Sequence, residues 1–447
     1  MGITIIGLGP GDPSLMTCEA RELLEKAQEV YLRTKRHPAV DSLPHHLQLH
    51  SFDHLYEKVE TFEEIYERIA QEILRLGDRP EGVLYAVPGH PLVGEASVHR
   101  ILALAGEKGV PVRIVAGISF LEPIFSLLKV DPLAGLQIGD AVTLASDLHP
   151  GFNPDIPALI GQLYSRTVAA DLKLTLMNLY PDDHPVILIQ GAGGPEVKRR
   201  TILLYELDHQ EGIDHLTSLF IPPLSAPGSF SFLQDIVARL RAPDGCPWDR
   251  EQTPQSLRPF LLEETYEALE ALDLEDTERL REELGDLLLE VLLQVQIAAE
   301  GGEFKMPDVL GGIIAKLIRR HPHVFGEVEA TTPGEVISHW QEIKREEGQL
   351  AEGPFADLPL TMPALARAQR IQQVAPARGL TVEMDEAELL ARVKKGLEEL
   401  SQLAREEAEE VWGGLLFDLV ALANLKGVDA ESALRKAVRE LEKGLQG

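Results

Sequence analysis

Cysteine is almost missing: Cys18 and Cys246 are the only two in 447 residues. So few and so far apart, they build neither a disulfide framework nor a thiolate zinc site, and packing is the role expected of them. Long apolar runs are missing too. No stretch of about 20 uncharged apolar residues occurs, so there is no candidate membrane-spanning helix. MGITIIGLGPGDP at the start reads as a strand and a turn rather than a secretory leader. Ile6 stands where a myristoylation signal needs Ser or Thr. A cytoplasmic protein without a membrane partner is expected. Basic residues are also in short supply, since 42 Lys and Arg face 72 Asp and Glu for a net charge of −30. Such a surface repels polyanions, which argues against DNA or RNA held through its phosphates. Free nucleotides are repelled as well unless a divalent cation, held by some of those carboxylates, inverts the local field.

What is there has an ordinary globular balance, 44% hydrophobic and 26% charged. The length is too great for one core, so two or three domains are expected. Up to about residue 225, β-type runs alternate with helical stretches. ITIIG (3–7), VLYAVP (83–88), PVRIVAG (111–117), AVTLA (141–145), LTLMNLY (174–180) and VILIQGA (186–192) read as strands. Amphipathic segments 61–76 and 94–108 lie between some of them, a βα pattern that predicts a mainly parallel sheet. From about residue 228 strand signals stop and helical periods take over, with starts at Thr253-Pro254 and at Thr332-Pro333-Gly334-Glu335, the latter a capping box. The Pro, Gly and Ser of LFIPPLSAPGSFSF (219–232) mark a linker. The expected organisation is an α/β domain over 1–222, a linker over 223–240, a first all-α module over 241–350 and a second helical module over 351–447.

The helical half places like charges close together. In LLEETYEALE, Glu264 and Glu267 stand at i and i+3, and Glu263 and Glu267 at i and i+4, so their side chains converge on one patch. In REELGDLLLEV, Glu283, Asp286 and Glu290 repeat the device at i, i+3 and i+7. If the two helices fold back on each other across LDLEDTE, about five acids surround one small volume. Each like-charge pair costs an isolated helix roughly 0.2–0.5 kcal/mol, and burying unpaired carboxylates costs far more. A hard oxygen-seeking cation, Mg²⁺ or Mn²⁺, removes the repulsion. Glu270, Glu275, Glu278 and Glu282 read as ordinary surface acids. Lys316, Arg319 and Arg320 form the nearest basic cluster, able either to reach a substrate phosphate or to neutralise neighbouring acids. His321 and His323, without a third ligand at useful spacing, read as structural. Trp248 reads as a packing aromatic.

The run GCPWDREQTPQSLRPFLLEETYEALEAL, then REELGDLLLEV, then KLIRRHPHVFG, resembles the MazG family of all-α nucleoside triphosphate pyrophosphohydrolases nearly without interruption from Gly245 to Gly326. The resemblance implies that Glu263, Glu264, Glu267, Glu283 and Asp286 carry Mg²⁺ and activate water, splitting a triphosphate between its α- and β-phosphates. A weak repeat follows: Gly285–Glu290 is echoed by Gly413–Asp418, and Glu263-Glu264 by Glu398-Glu399. Gln402, Val411 and Gly414 stand where the remaining acids belong, so this second module is expected to pack and dimerise rather than to hold a metal. Leucines in excess of what one hairpin buries predict a homodimer.

In the front half, GLGPGDP (7–13) follows a strand and precedes a helix, where α/β folds take ligands. Its spacing is neither a dinucleotide fingerprint nor a Walker loop. With VPGHPLVGE (87–95), VAGISF (115–120) and LIQGAGGPE (188–196), it resembles the tetrapyrrole methylase family, two αβα subdomains with S-adenosylmethionine in the cleft. That resemblance implies a cofactor cleft lined by Gly9, Pro10, Gly11, Asp12, Gly89, Gly117 and Ser119. Two positions depart from the family pattern, His90 and Leu32 each standing where an Asp is usual. The alternative reading, methyl transfer to a tetrapyrrole as the main activity with the helical half as a regulatory nucleotide-binding domain, loses support from both.

Overall fold

The computed structural model describes residues 2–446 apart from 57–60, 347–354, 381–384 and 401–404. The chain divides into two compact units, Met1–Ile236 and Val237–Gly447.

The first unit contains two five-stranded sheets. One is entirely parallel, built from β1 (Ile3–Gly7), β2 (Glu29–Leu32), β3 (Gln48–Ser51), β4 (Val83–Val87) and β5 (Val112–Val115) in the order β3-β2-β4-β1-β5. Strand β1 shows why. Ile3 and Ile5 point into one core with helices Phe62–Gly77 and Ala96–Lys108, while Ile6 joins a second core with helix Cys18–Lys26, so both faces are dry. The other sheet is mixed. Its strands are β6 (Gln137–Asp140), β7 (Ala158–Gly161), β8 (Pro185–Gln190), β9 (Lys198–Leu203) and β10 (Thr217–Ile221), ordered β6-β7-β10-β8-β9, with β6 and β7 parallel and the rest antiparallel. The expectation of a mainly parallel sheet therefore holds for the first sheet and fails for the second. Each sheet carries packed clusters on both faces, which makes two αβα layers.

Two expected strands are helical. AVTLA is helix Ala141–Ala145, because Asp140 accepts from the amides of Val142 and Thr143 at 2.9 and 3.1 Å and so caps it. LTLMNLY continues helix Arg166–Leu176 and its terminal turn, started by Ser165 accepting from the Val168 amide. The stretch 219–232 is less linker than expected. Its first residues complete β10, and the amides of Gly228 and Ser229 donate to the Asp155 carboxylate at 2.7 and 3.1 Å. Helix Phe230–Arg241 follows, and the division between the units falls within it.

The second unit is helical. Helices α1 (Arg258–Asp273) and α2 (Thr277–Glu300) form a hairpin over a three-residue turn in which Glu275 adopts φ 55°. Thr253-Pro254 precedes this start by a turn instead of opening the helix. Helix α3 (Met306–Arg320) packs on helix Pro322–Phe325 and on α4 (Pro333–Glu346), where Thr332 and Glu335 exchange the two bonds of the capping box. Helices α5 (Ala364–Val374), α6 (Glu386–Leu400), α7 (Arg405–Leu425) and α8 (Ala430–Gln446) complete the chain. Buried amides tie α5 to α7 and to the turn after it: Gln372 donates to the Phe417 carbonyl at 2.9 Å, and Gln369 to that of Val428 at 2.9 Å.

Candidate functional sites in the two units

Folding α1 back on α2 brings acids from both helices together. Oxygens of Glu264, Glu267 and Glu283 all lie within 4.8 Å of one another. Glu283 is buried, 8% exposed, and the other two are half-buried. Burial and then the charges of Asp286, Glu267, Glu283 and Glu263 push the Glu264 carboxyl above its ordinary range. Asp286 is half-buried within electrostatic reach of this trio, whereas Glu263 is exposed and stands outside it. One turn beyond Asp286, Glu290 is 7% exposed, its Oε2 has no hydrogen-bond partner, and burial raises its proton affinity. A crowd of carboxylate oxygens drawn from two helices is what a hard dication fits.

Glu283 is the member of the trio with a cation beside it, Arg279 Nε at 3.1 Å. That arginine also reaches Glu270 at 2.8 Å, so Glu270, expected as a plain surface acid, has a partner. On α3, Arg320 is buried with its guanidinium 5.4 Å over the Trp340 ring, which gives it a packing role; Lys316 is half-buried and Arg319 exposed. His321 caps the end of α3 through Nδ1 and the Leu317 carbonyl at 2.7 Å. Trp248 stacks edge-on against Phe260 at 5.8 Å. In the second module Arg392 holds Asp418 at 2.7 Å and Lys395 holds Glu399 at 3.4 Å, so ion pairs replace the crowd of acids. Gly414 is exposed and Val411 half-exposed, while Gln402 lies outside the described residues.

In the first unit the glycine loops meet beyond the carboxyl ends of the neighbouring strands β4, β1 and β5. Gly9 and Gly89 form an antiparallel bridge, Gly89 N donating to Gly9 O at 2.8 Å. A Cβ on Gly117 would lie 2.3 Å from Gly89 O and 2.8 Å from the Gly7 Cα, so here glycine permits backbone to touch backbone. Asp12 N donates to Gly193 O at 2.7 Å, which joins a fourth loop to the group. Asp12 itself accepts from Ser14 N at 2.8 Å, and Ser119 is buried with its hydroxyl on Glu122 at 2.6 Å. Both act as local caps. His90 shows how an Asp is replaced, since its Nδ1 accepts from Leu92 N at 3.0 Å and closes the turn that a carboxylate would.

Two further groups by these loops escaped the sequence reading. Arg33 Nε lies 3.0 Å from Glu95, a carboxylate buried to 3% exposure. Burial alone would weaken the guanidinium's hold on its proton; Glu95, joined by Tyr56, Tyr85 and Tyr66, more than reverses this. His37 is buried, its Nδ1 has no partner, and burial followed by the charge of Arg33 lowers its pKa to about 4. The available signal was small: Arg33 directly follows the apolar run of β2, and Glu95 follows the Gly94 turn.

Residues 252–325 match the MazG nucleotide pyrophosphohydrolase domain, and residues 2–208 match the tetrapyrrole (corrin/porphyrin) methylases. A Bacillus subtilis (strain 168) protein named YabN is 42% identical over 377 residues, 83% of this chain and 76% of its own length. This chain belongs to the MazG family, in the form fused to a tetrapyrrole methylase domain. Its MazG relatives include the nucleoside triphosphate pyrophosphohydrolase/pyrophosphatase MazG of Thermotoga maritima, 42% identical over 213 residues, 47% of this chain and 82% of that protein. The nucleoside triphosphate pyrophosphohydrolase of Escherichia coli (strain K12) is 43% identical over 223 residues, 47% of this chain and 83% of its own.

Proposed function

We propose that the MazG module hydrolyses nucleoside triphosphates to a nucleoside monophosphate and pyrophosphate, with Mg²⁺ held by Glu264, Glu267, Glu283 and Asp286. The convergence of three carboxylates within 4.8 Å carries this reading. An ion held there would supply positive charge against the phosphate oxygens and a water of lowered pKa. The chain's own part is to hold these oxygens on a leucine-rich hairpin and to leave one carboxylate free to accept the proton of the attacking water. Glu283, already engaged by Arg279, is the least suited to that task. Glu263 is exposed, and its charge acts on Glu264.

The same reading includes a homodimer. Leu262, Leu284, Leu288 and Val291 on the hairpin and Ile314 and Leu317 on α3 are all more than a third exposed, a surface that a second copy covers. Among the described residues no single helix is long and apolar enough to cross a membrane, and the cytoplasm, where nucleotides are, is the location we propose. For the front unit we propose S-adenosylmethionine as the ligand, on the meeting of the Gly9, Gly89 and Gly117 loops at the strand ends. Calorimetric titration with that compound tests it, and absence of heat at millimolar ligand removes it. The main activity is tested by pyrophosphate release with Mg²⁺ across standard and damaged triphosphates. Release that is lost in Glu264→Gln supports it; no release from folded protein with any triphosphate ends it.

A further inference from the structure

Resting on the metal site just proposed, we infer that Arg279 is a positioning residue for it, braced by the last helix of the chain. Arg279 sits at the start of α2 and bridges two carboxylates: its Nε is 3.1 Å from Glu283 Oε1 and its Nη2 is 2.8 Å from Glu270 Oε2. Glu283 belongs to the acidic trio, and Glu270 lies one turn along α1 from Glu267. The guanidinium thus fixes one oxygen of Glu283 and leaves the other for the cluster. Glu270 is itself held from the far side. Arg439 of α8 lies 3.7 Å from Glu270 and donates to Asp273 at 3.1 Å, and Arg435 stands 3.9 Å from Asp273. An unbroken run of opposite charges, Arg439 to Glu270 to Arg279 to Glu283, therefore links the second helical module to the acids of the first. It gives the module that lost its own acids a task at the site that kept them.

The sign of the effect separates this from a simple field. A guanidinium beside a metal ligand repels a dication and competes for its oxygen, so on charge alone its removal tightens cation binding. If instead its work is to hold Glu283 in place, its removal loosens binding, by about 10-fold on the scale seen when groups that support metal ligands are lost. Lysine keeps the charge but, as a single ammonium, cannot bridge two carboxylates in this fork geometry.

The test is Mn²⁺ binding to the full-length protein, read as loss of the free-ion electron paramagnetic resonance signal, with circular dichroism to show that each variant keeps its helices. Arg279→Ala is expected to weaken Mn²⁺ binding about 10-fold and Arg279→Lys by a similar factor; the double variant Arg435→Ala/Arg439→Ala weakens it by a smaller factor. Unchanged or tighter binding in Arg279→Ala overturns the inference, as does wild-type binding in Arg279→Lys, which remains readable should the alanine variant not fold. Unchanged binding in the double variant removes the brace. Wild-type protein whose Mn²⁺ binding is absent, or is indifferent to Glu264→Gln/Glu267→Gln, overturns the underlying site together with the inference.

Discussion

Glu264→Gln should stabilise the helical unit without metal and destabilise it, relative to wild type, with metal. Glutamine keeps the shape of the side chain and removes its charge. In the structure that charge is opposed by Glu267 on the same helix and by Glu283 and Asp286 across the hairpin. At roughly 0.2–0.5 kcal/mol for each such pair, three pairs sum to about 1 kcal/mol of repulsion relieved. For a unit of this size that is a rise of roughly 2–4 °C in Tm at low ionic strength. Saturating Mg²⁺ at 100 times its Kd stabilises the wild type by about 2.7 kcal/mol, and the variant, missing a ligand, gains much less. The two melting curves therefore exchange order when Mg²⁺ is added. The assay is thermal unfolding followed by circular dichroism at 222 nm, in EDTA and in Mg²⁺. A variant that melts below wild type in EDTA would refute the reasoning, because it would mean that the Glu264 carboxylate is satisfied by the protein alone.

In the first unit, Glu95→Ala removes the buried carboxylate from the half-buried Arg33 guanidinium, which keeps Tyr56 as a partner, and should cost up to about 3 kcal/mol, seen as a lower denaturant midpoint; a change under about 1 kcal/mol would show that water takes over the carboxylate's role. Buried His37 has a folded pKa near 4 against an ordinary 6.5, so the unfolded chain binds its proton more readily. Its stabilising effect is therefore fully present above pH 6.5 and is lost as pH falls toward 4, at most about 3 kcal/mol, and His37→Asn should flatten that part of the stability profile. Gly117→Ala places a Cβ 2.3 Å from Gly89 O, two backbones with no side chain to yield, and should cost at least about 1–3 kcal/mol while abolishing any S-adenosylmethionine heat. A wild-type melting temperature for this variant would show that the two loops part easily.

Long periodic or doubly buried segments were legible in the sequence, and short capped ones were not. ITIIG and VLYAV form neighbouring strands because both their faces are buried, and segments 61–76 and 94–108 form helices close to the expected bounds. AVTLA failed because one side chain, Asp140, supplies two capping bonds that outweigh the β preference of Val142 and Thr143. Strands Gln48–Ser51, short and polar, and Lys198–Leu203, opening on three basic residues, take their order from their neighbours in the sheet. In the helical unit the i, i+3 and i+4 spacing of the acids is written in the sequence, since helical geometry alone puts Glu264 and Glu267 on one side. How deeply each acid is set is not, because the rotation of α1 against α2 decides it, leaving Glu263 exposed and Glu283 buried. Glu270 reads as an ordinary surface acid, and its contact with Arg439 depends on the last helix, far along the chain.

The central claim is that carboxylates of two helices meet around one cation. The most direct measurement is anomalous X-ray diffraction from crystals of the full-length protein soaked in Mn²⁺. The account predicts a peak touching oxygens of Glu264, Glu267 and Glu283. Manganese bound elsewhere, with these three side chains turned apart and the protein still releasing pyrophosphate, would contradict it.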